Sequence, residues 1–158
     1  MLFNACNSPT IELVTFNHPA AGPTSCRLDP TDIKKLMKVA SKLAIVVAAV
    51  SIQCPLMVIE GFRREKRQNE LFRSGHSKLP FPQSKHNIQP AEAVDIAPLP
   101  LDWQDRDRFM CLAGAMWQAS QRLGVALRWG GDWNRAGDGN TGFDDLGHYE
   151  LWPFPLRK

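Results

Sequence analysis

The sequence predicts an α+β domain in which a small, mostly antiparallel sheet is flanked by helices. Segments with apolar residues at helical spacing are intermixed with short β-type runs, without the regular strand–helix–strand alternation that builds a parallel sheet. No segment repeats another. A chain of 158 residues is the size of one domain and long enough for a sizeable core without disulfide support.

Residues 1–30 are rich in Pro, Asn, Ser and Thr, with one short apolar alternation from Ile11 to Phe16. They are expected to form an irregular N-terminal arm, with at most one strand, ahead of a domain spanning 31–158. Asp29-Pro30-Thr31-Asp32 signals a helix start, because an acidic or hydroxyl cap precedes Ile33, Leu36, Met37, Ala40 and Leu43 at helical spacing. That helix is expected to run to about Ala49. Pro55 opens the β-type run Leu56-Met57-Val58-Ile59-Glu60, which Gly61 closes. Residues 62–74 read as a charged amphipathic helix stopped at Gly75, and Pro80 and Pro82 then force an extended loop into Ser84-Lys85-His86. Residues 93–97 have strand character and are broken by Pro98 and Pro100. Residues 102–123 are the strongest helix: Trp103, Phe109, Met110, Ala113, Trp117 and Leu123 supply a broad apolar stripe and Gly124 the stop. A short strand at 125–129, a glycine-rich loop at 130–143 and a final strand from His148 to Leu151 complete the chain.

Composition narrows the function. A net charge of +3 and a pI near 8.8 are mildly basic, which suits an acidic polymer or surface but is too weak to argue for nucleic acid. No groove-reading or base-stacking motif adds to that case, so no nucleic-acid partner is expected. Cys6, Cys26, Cys54 and Cys111 contain no C-x-x-C pair, which excludes a zinc knuckle and a thioredoxin-type motif; four reduced thiols are expected. The N-terminus lacks the basic and then apolar run of a signal peptide. The most apolar stretch, 43–52, is about half of what a membrane-spanning helix needs and reads as buried core, so no stable membrane insertion is expected.

The chemistry gathers around two of the four histidines. Ser84-Lys85-His86, Ala93-Val94-Asp95 and Asp145-Leu146-Gly147-His148-Tyr149-Glu150 place acidic residues at workable spacing, whereas His18 and His76 have none. A catalytic zinc takes three protein ligands and keeps one position open. His86, Asp95 and His148 supply such a set and leave Asp145 as a base. Residues two apart on a strand face the same side, so His148 and Glu150 point into one cleft, one to hold metal and the other to orient a ligand or substrate. Asp145 lies three residues before His148, and a turn across Leu146-Gly147 would bring its carboxylate to the attacking water, whose proton it would take and pass to the leaving nitrogen. Ser84 either positions substrate or caps backbone. Arg64, Lys66 and Arg67 read as a solvated charged face. The loop between Asp132 and Asp144 satisfies no EF-hand pattern at Asp132 or Asp138 and is expected to border the cleft, with Trp133 lining the groove and the other tryptophans mostly in the core.

In order and spacing, Ser84-x-His86, Ala93-x-Asp95 and Asp145-x-x-His148-x-Glu150, preceded by Glu60-Gly61-Phe62-Arg63 and Arg67-Gln68, resemble the zinc peptidases that cut bacterial cell-wall peptides. That family includes D-alanyl-D-alanine carboxypeptidases and dipeptidases, and the L-alanyl-D-glutamate endopeptidases used as bacteriophage endolysins. The match covers roughly 56–151. It implies a hedgehog/D,D-peptidase-like fold, Zn2+ on His86, Asp95 and His148, Asp145 as base and Arg63 as the cation that stabilises the transition state. The chain departs from the family pattern twice. Eight residues, Asn87 to Val94, separate His86 from Asp95, two more than usual, with Glu92 a weaker competitor for the ligand position, and Gly147 stands where proline is common.

The function this resemblance implies is hydrolysis of peptidoglycan stem peptides by a phage-type endolysin cutting between L-alanine and D-glutamate. Such an enzyme is expected to be monomeric, to accumulate in the host cytoplasm and to reach the wall through another factor. The alternatives are a D,D-carboxypeptidase or dipeptidase releasing D-alanine, a non-catalytic zinc-binding module of the kind hedgehog domains exemplify, and a structural virion protein. Both Asp145 and Arg63 being present argues against the non-catalytic module, and a structural protein would have no need for the combination of metal ligands and base.

Overall fold

The computed structural model describes residues 28–133 and 144–153. Four strands, β1 (Leu56–Glu60), β2 (Ala93–Pro98), β3 (Leu127–Trp129) and β4 (His148–Leu151), form one sheet in the order β1-β2-β4-β3. Every neighbouring pair is antiparallel, as the expected fold class requires. Helices α2 (Ser41–Ser51) and α4 (Arg106–Leu123) bury Leu43, Val46, Val47, Val50, Leu112, Met116 and Ala119 in one core with Val58, Val94, Ile96, Leu127 and Tyr149 of the sheet. Burying such a side chain fully contributes about 1.5–3 kcal/mol. Side chains alternate along a strand. With Val94, Ile96 and Tyr149 committed to the core, Asp95, His148 and Glu150 are turned to the opposite face.

The single helix expected from residue 30 to about 49 is two helices, α1 (Pro30–Leu36) and α2. The break has a tertiary cause. The Ala91 amide donates to the Lys38 carbonyl (2.9 Å) and the Ala40 amide to the Ala91 carbonyl (2.8 Å), so the connection between His86 and Asp95 takes backbone groups that a continuous helix would have used internally. The start is as expected, with the Asp29 carboxylate accepting from the Asp32 amide at 2.8 Å. Asp32 is itself buried and accepts from the Val58 amide at 2.9 Å, and Lys35 donates to the Val58 carbonyl. Side chains of α1 thereby satisfy the outer edge of β1, which would otherwise be a template for pairing with another chain.

Helix α3 (Glu65–Arg73) starts later than the expected 62, because the Arg63 amide donates a hydrogen bond to the His86 carbonyl (2.8 Å) and Arg64, its N-cap, is extended. Helix α4 likewise begins at Arg106, where Asp105 caps the Arg108 amide, leaving Trp103 outside to stack on Phe109 at 5.6 Å. Trp103 and Trp117 are exposed rather than in the core. Gly124 ends α4 in the left-handed conformation (φ 66°), where a Cβ is penalised. The strand expected over 125–129 is confined to Leu127–Trp129. The extended loop expected at 84–86 is a 3-10 turn, Lys85–Asn87. The arm before Leu28, its strand near 11–16, the loop residues 134–143 with Asp138, and residues 154–158 lie outside the described residues. Among those described, no helix is long and apolar enough to cross a membrane.

Candidate active site

Antiparallel register sets Asp95 of β2 directly opposite His148 of β4, and His148 Nδ1 lies 2.9 Å from Asp95 Oδ1. The third group arrives on the 3-10 turn. The Ser84 hydroxyl accepts from the His86 amide (3.3 Å), and the Asn87 side-chain oxygen accepts from the Ser84 amide (3.2 Å), a reciprocal cap that fixes the turn. Ser84 is therefore engaged in placing His86. The His86 Nδ1–H donates to the Gly61 carbonyl at 2.7 Å, which leaves Nε2 facing Asp95 Oδ1 at 3.2 Å and His148 Nδ1 at 3.3 Å.

These three atoms suit a tetrahedral ion. Zinc bonds of ~2.0–2.2 Å place ligand atoms ~3.3–3.6 Å apart, and separations of 2.9, 3.2 and 3.3 Å reach that spacing within a few tenths of an ångström. Both imidazoles have their second nitrogen anchored, His86 on Gly61 and His148 through Nε2 on Glu150 Oε2 at 3.4 Å, as metal-binding histidines do. Glu92 is not among the three groups brought together; it lines a separate cavity with Lys42 and Lys85.

Charge balance follows from the same contacts. Burial favours the neutral acid at Asp95, but the His86 charge and the hydrogen bonds from both histidines outweigh it and hold the carboxyl far below its ordinary range. Burial also disfavours a charged His148, yet its hydrogen bonds to Asp95 and Glu150 and the charges of Asp95 and Asp145 lift it to about 9.

Arg63 is buried behind this cluster. Its Nε donates to Glu60 (2.8 Å), one terminal nitrogen to Gln68 (3.1 Å) and the other to Asp95 Oδ2 (2.9 Å). The guanidinium thus grips the Asp95 oxygen that the histidines do not share. Gln68, wholly buried, donates in turn to the Ser77 hydroxyl and the Leu79 carbonyl, and Asn87 donates to the Arg63 carbonyl at 2.8 Å. Sequence reasoning singled out neither Gln68 nor Asn87 for a role. Arg64 and Lys66 are exposed, as expected of a charged face; Arg67 is exposed too but lies 3.5 Å from Glu60.

Asp145 reaches the site through its backbone. Its amide donates to the Gly130 carbonyl (3.0 Å), its carbonyl accepts from the His148 amide (3.0 Å), and the Gly130 amide donates to the His148 carbonyl (2.8 Å). Burial pushes its carboxyl above the ordinary value of 3.8, and the Asp95 charge adds to that; His148, His86 and Arg63 oppose it and only partly compensate. The backbone bonds hold Asp145 beside His148, and the charges of His148, Asp95, His86 and Arg63 all act on its carboxyl. Trp133 stands against the other side of His148, ring centroids 5.3 Å apart.

A tight approach explains Gly130, which sequence reasoning left as generic loop. A Cβ there would lie 2.3 Å from the Asp145 carbonyl oxygen and 3.0 Å from the Cβ atoms of Asp145 and His148. Gly130→Ala is expected to displace both functional residues, lowering thermal stability by the equivalent of about 1–3 kcal/mol and kcat with it. Unchanged melting and turnover would show that the turn yields freely. The visible signal was the Gly130-Gly131 pair leaving a strand, where backbone approaches backbone closely.

A family model described as phage L-alanyl-D-glutamate peptidase matches residues 24–152. The L-alanyl-D-glutamate peptidase of Escherichia phage T5 is 34% identical over 101 residues, spanning 60% of this chain and 73% of that protein. Among solved structures, the L-Ala D-Glu endopeptidase ChiX of Serratia marcescens superposes with a TM-score of 0.63 at 27% identity, covering 80% of this chain and 90% of that one.

Proposed function

The chain belongs to the phage L-alanyl-D-glutamate peptidase family, and from that premise we propose that it is a Zn2+-dependent endolysin-type hydrolase cutting the L-Ala–D-Glu bond of peptidoglycan stem peptides. One observation carries the zinc assignment: His86 Nε2, Asp95 Oδ1 and His148 Nδ1 form a triangle of ligand size, with Asp145 held beside it by its backbone bonds to Gly130 and His148. Zinc held there would supply Lewis acidity, making water nucleophilic near neutral pH and polarising the scissile carbonyl.

The remaining work falls to the chain's own groups. Asp145 takes the proton from the attacking water and returns it to the departing D-glutamate nitrogen. A carboxyl raised by burial does both better than an ordinary one, since its affinity for the proton lies closer to the working pH. Arg63 holds Asp95 ionised and oriented, and its buried charge favours the negative charge that develops on the carbonyl oxygen. Trp133, beside His148, forms a wall of the substrate groove.

Purified sacculi digested with the enzyme should show new amino termini on D-glutamate by end-group labelling and mass spectrometry. Release of free D-alanine without such termini would instead assign a D,D-carboxypeptidase or dipeptidase activity to the same site. Zinc binding without any hydrolysis would mark a non-catalytic module.

Metal affinity should depend on pH in a defined direction. A cation at His148 Nδ1 must displace the proton that the metal-free ring keeps up to about pH 9, so apparent affinity should rise about tenfold per unit between roughly pH 7 and 9 and level off above. The metal-free fold behaves oppositely. The raised His148 stabilises it fully below the ordinary value of 6.5 and loses that contribution as pH rises through about 9. Chelator competition across this window measures the slope; a flat profile would show that His148 is neutral before metal arrives.

A further inference from the structure

We propose that Arg128 is the positioning residue of the His148 ring, acting through Glu150. The role in metal binding rests on the zinc reading above, whereas the positioning itself rests on contacts present in the chain. Arg128 on β3 lies directly across from Glu150 on β4. Its Nε (2.8 Å) and a terminal nitrogen (2.5 Å) both donate to Glu150 Oε1. Lys85, the neighbour of His86, approaches the same oxygen at 3.5 Å. Both cations therefore occupy one carboxylate oxygen and leave the other, Oε2, to His148 Nε2 at 3.4 Å.

Two indoles hold the guanidinium in this pose. Its central carbon lies over the Trp133 ring at 4.9 Å and over the Trp152 ring at 4.7 Å, within the range where a cation is attracted to an aromatic face. Trp133 also packs against His148 itself, so one ring touches both ends of the Arg128–Glu150–His148 chain. The consequence is geometric. With Nε2–H tied to Glu150, the imidazole keeps Nδ1 aimed at Asp95 Oδ1 and His86 Nε2, the side where a metal would sit. Glu150 without Arg128 would be free to rotate toward Lys85, and the ring would lose its fixed acceptor. Lysine is no substitute, because it lacks the planar face that stacks and the second donor that locks the carboxylate.

Arg128→Lys and Arg128→Gln test this together. Loss of an outer-shell partner typically weakens metal affinity ~10–100-fold. Both variants are expected to bind zinc that much more weakly in chelator competition, while KM for the stem peptide at saturating zinc stays within about twofold. The metal-free protein supplies a readout independent of zinc: the His148 Nε2–H proton, sheltered by Glu150, should give a slowly exchanging ring signal in the parent protein and lose it in both variants. Unchanged zinc affinity and an unchanged ring signal would overturn the proposal, as would a raised KM with zinc affinity intact, which would place Arg128 on the substrate. A parent protein that shows the sheltered proton but binds no zinc would sink the metal reading and leave the positioning role standing. Should Arg128→Gln fail to fold, Arg128→Lys, which keeps the charge, carries the test.

Discussion

Asp145→Asn is expected to leave the protein folded and able to bind metal while lowering kcat by about 10²–10⁴-fold, the range a general base contributes. The substitution isolates charge. The structural duties of this residue are carried by its backbone, which bonds Gly130 and His148, and asparagine is nearly isosteric with aspartate. What is lost is the ability to accept a proton. A thousandfold loss corresponds to about 4 kcal/mol of transition-state stabilisation, so steady-state kinetics on a stem-peptide substrate will resolve it, with KM little changed. The parent enzyme should also lose activity as falling pH protonates the Asp145 carboxyl, and that limb should vanish in the variant. Parent-like turnover would move the base elsewhere. Glu150 is the adjacent candidate on β4, though Arg128 and Lys85 already hold its carboxylate.

The clustering of His86, Asp95 and His148 was legible in the sequence because strand periodicity and local chemistry agree there. Alternation along β2 and β4 alone puts Asp95, His148 and Glu150 on one face, and sheet register then brings Asp95 against His148. The helix boundaries were less legible, since the break between α1 and α2 is made by Ala91, some fifty residues away along the chain, and nothing local in Lys38-Val39-Ala40 signals it. The longer connection from His86 to Asp95 was visible as a departure from the family pattern; that its Ala91 pairs with the segment between the two helices was not. Arg63 illustrates a different limit. Its position was readable, but its three partners, Glu60, Gln68 and Asp95, come from separate elements, so its grip on the Asp95 carboxylate emerges only when they fold together. The pairing of Arg128 with Glu150 is likewise a product of β3–β4 register.

Removing either imidazole is expected to abolish both zinc binding and hydrolysis, but the two variants should differ in the stability of the metal-free protein. The parent should carry about one zinc per chain, since a catalytic site uses three protein ligands and one open position; chelation should silence it and zinc restore it. His86→Ala and His148→Ala each leave two ligands, too few to hold the ion against a chelator. In the metal-free state, His86→Ala strands the Gly61 carbonyl that its ring satisfied, a cost of about 1–3 kcal/mol for a buried group. His148→Ala removes the charge that sits between Asp95 and Glu150, leaving two carboxylates without the imidazolium they share. Breaking a buried pair in this way typically costs about 3–5 kcal/mol, though Arg63 and Arg128 on the far oxygens will offset part of it. Near neutral pH the melting temperature should therefore fall further for His148→Ala than for His86→Ala, and the gap should close as pH rises toward 9, where the parent ring gives up its proton. Undiminished zinc affinity in either variant would overturn the ligand assignment; equal destabilisation at all pH values would show that His148 carries no charge in the metal-free protein.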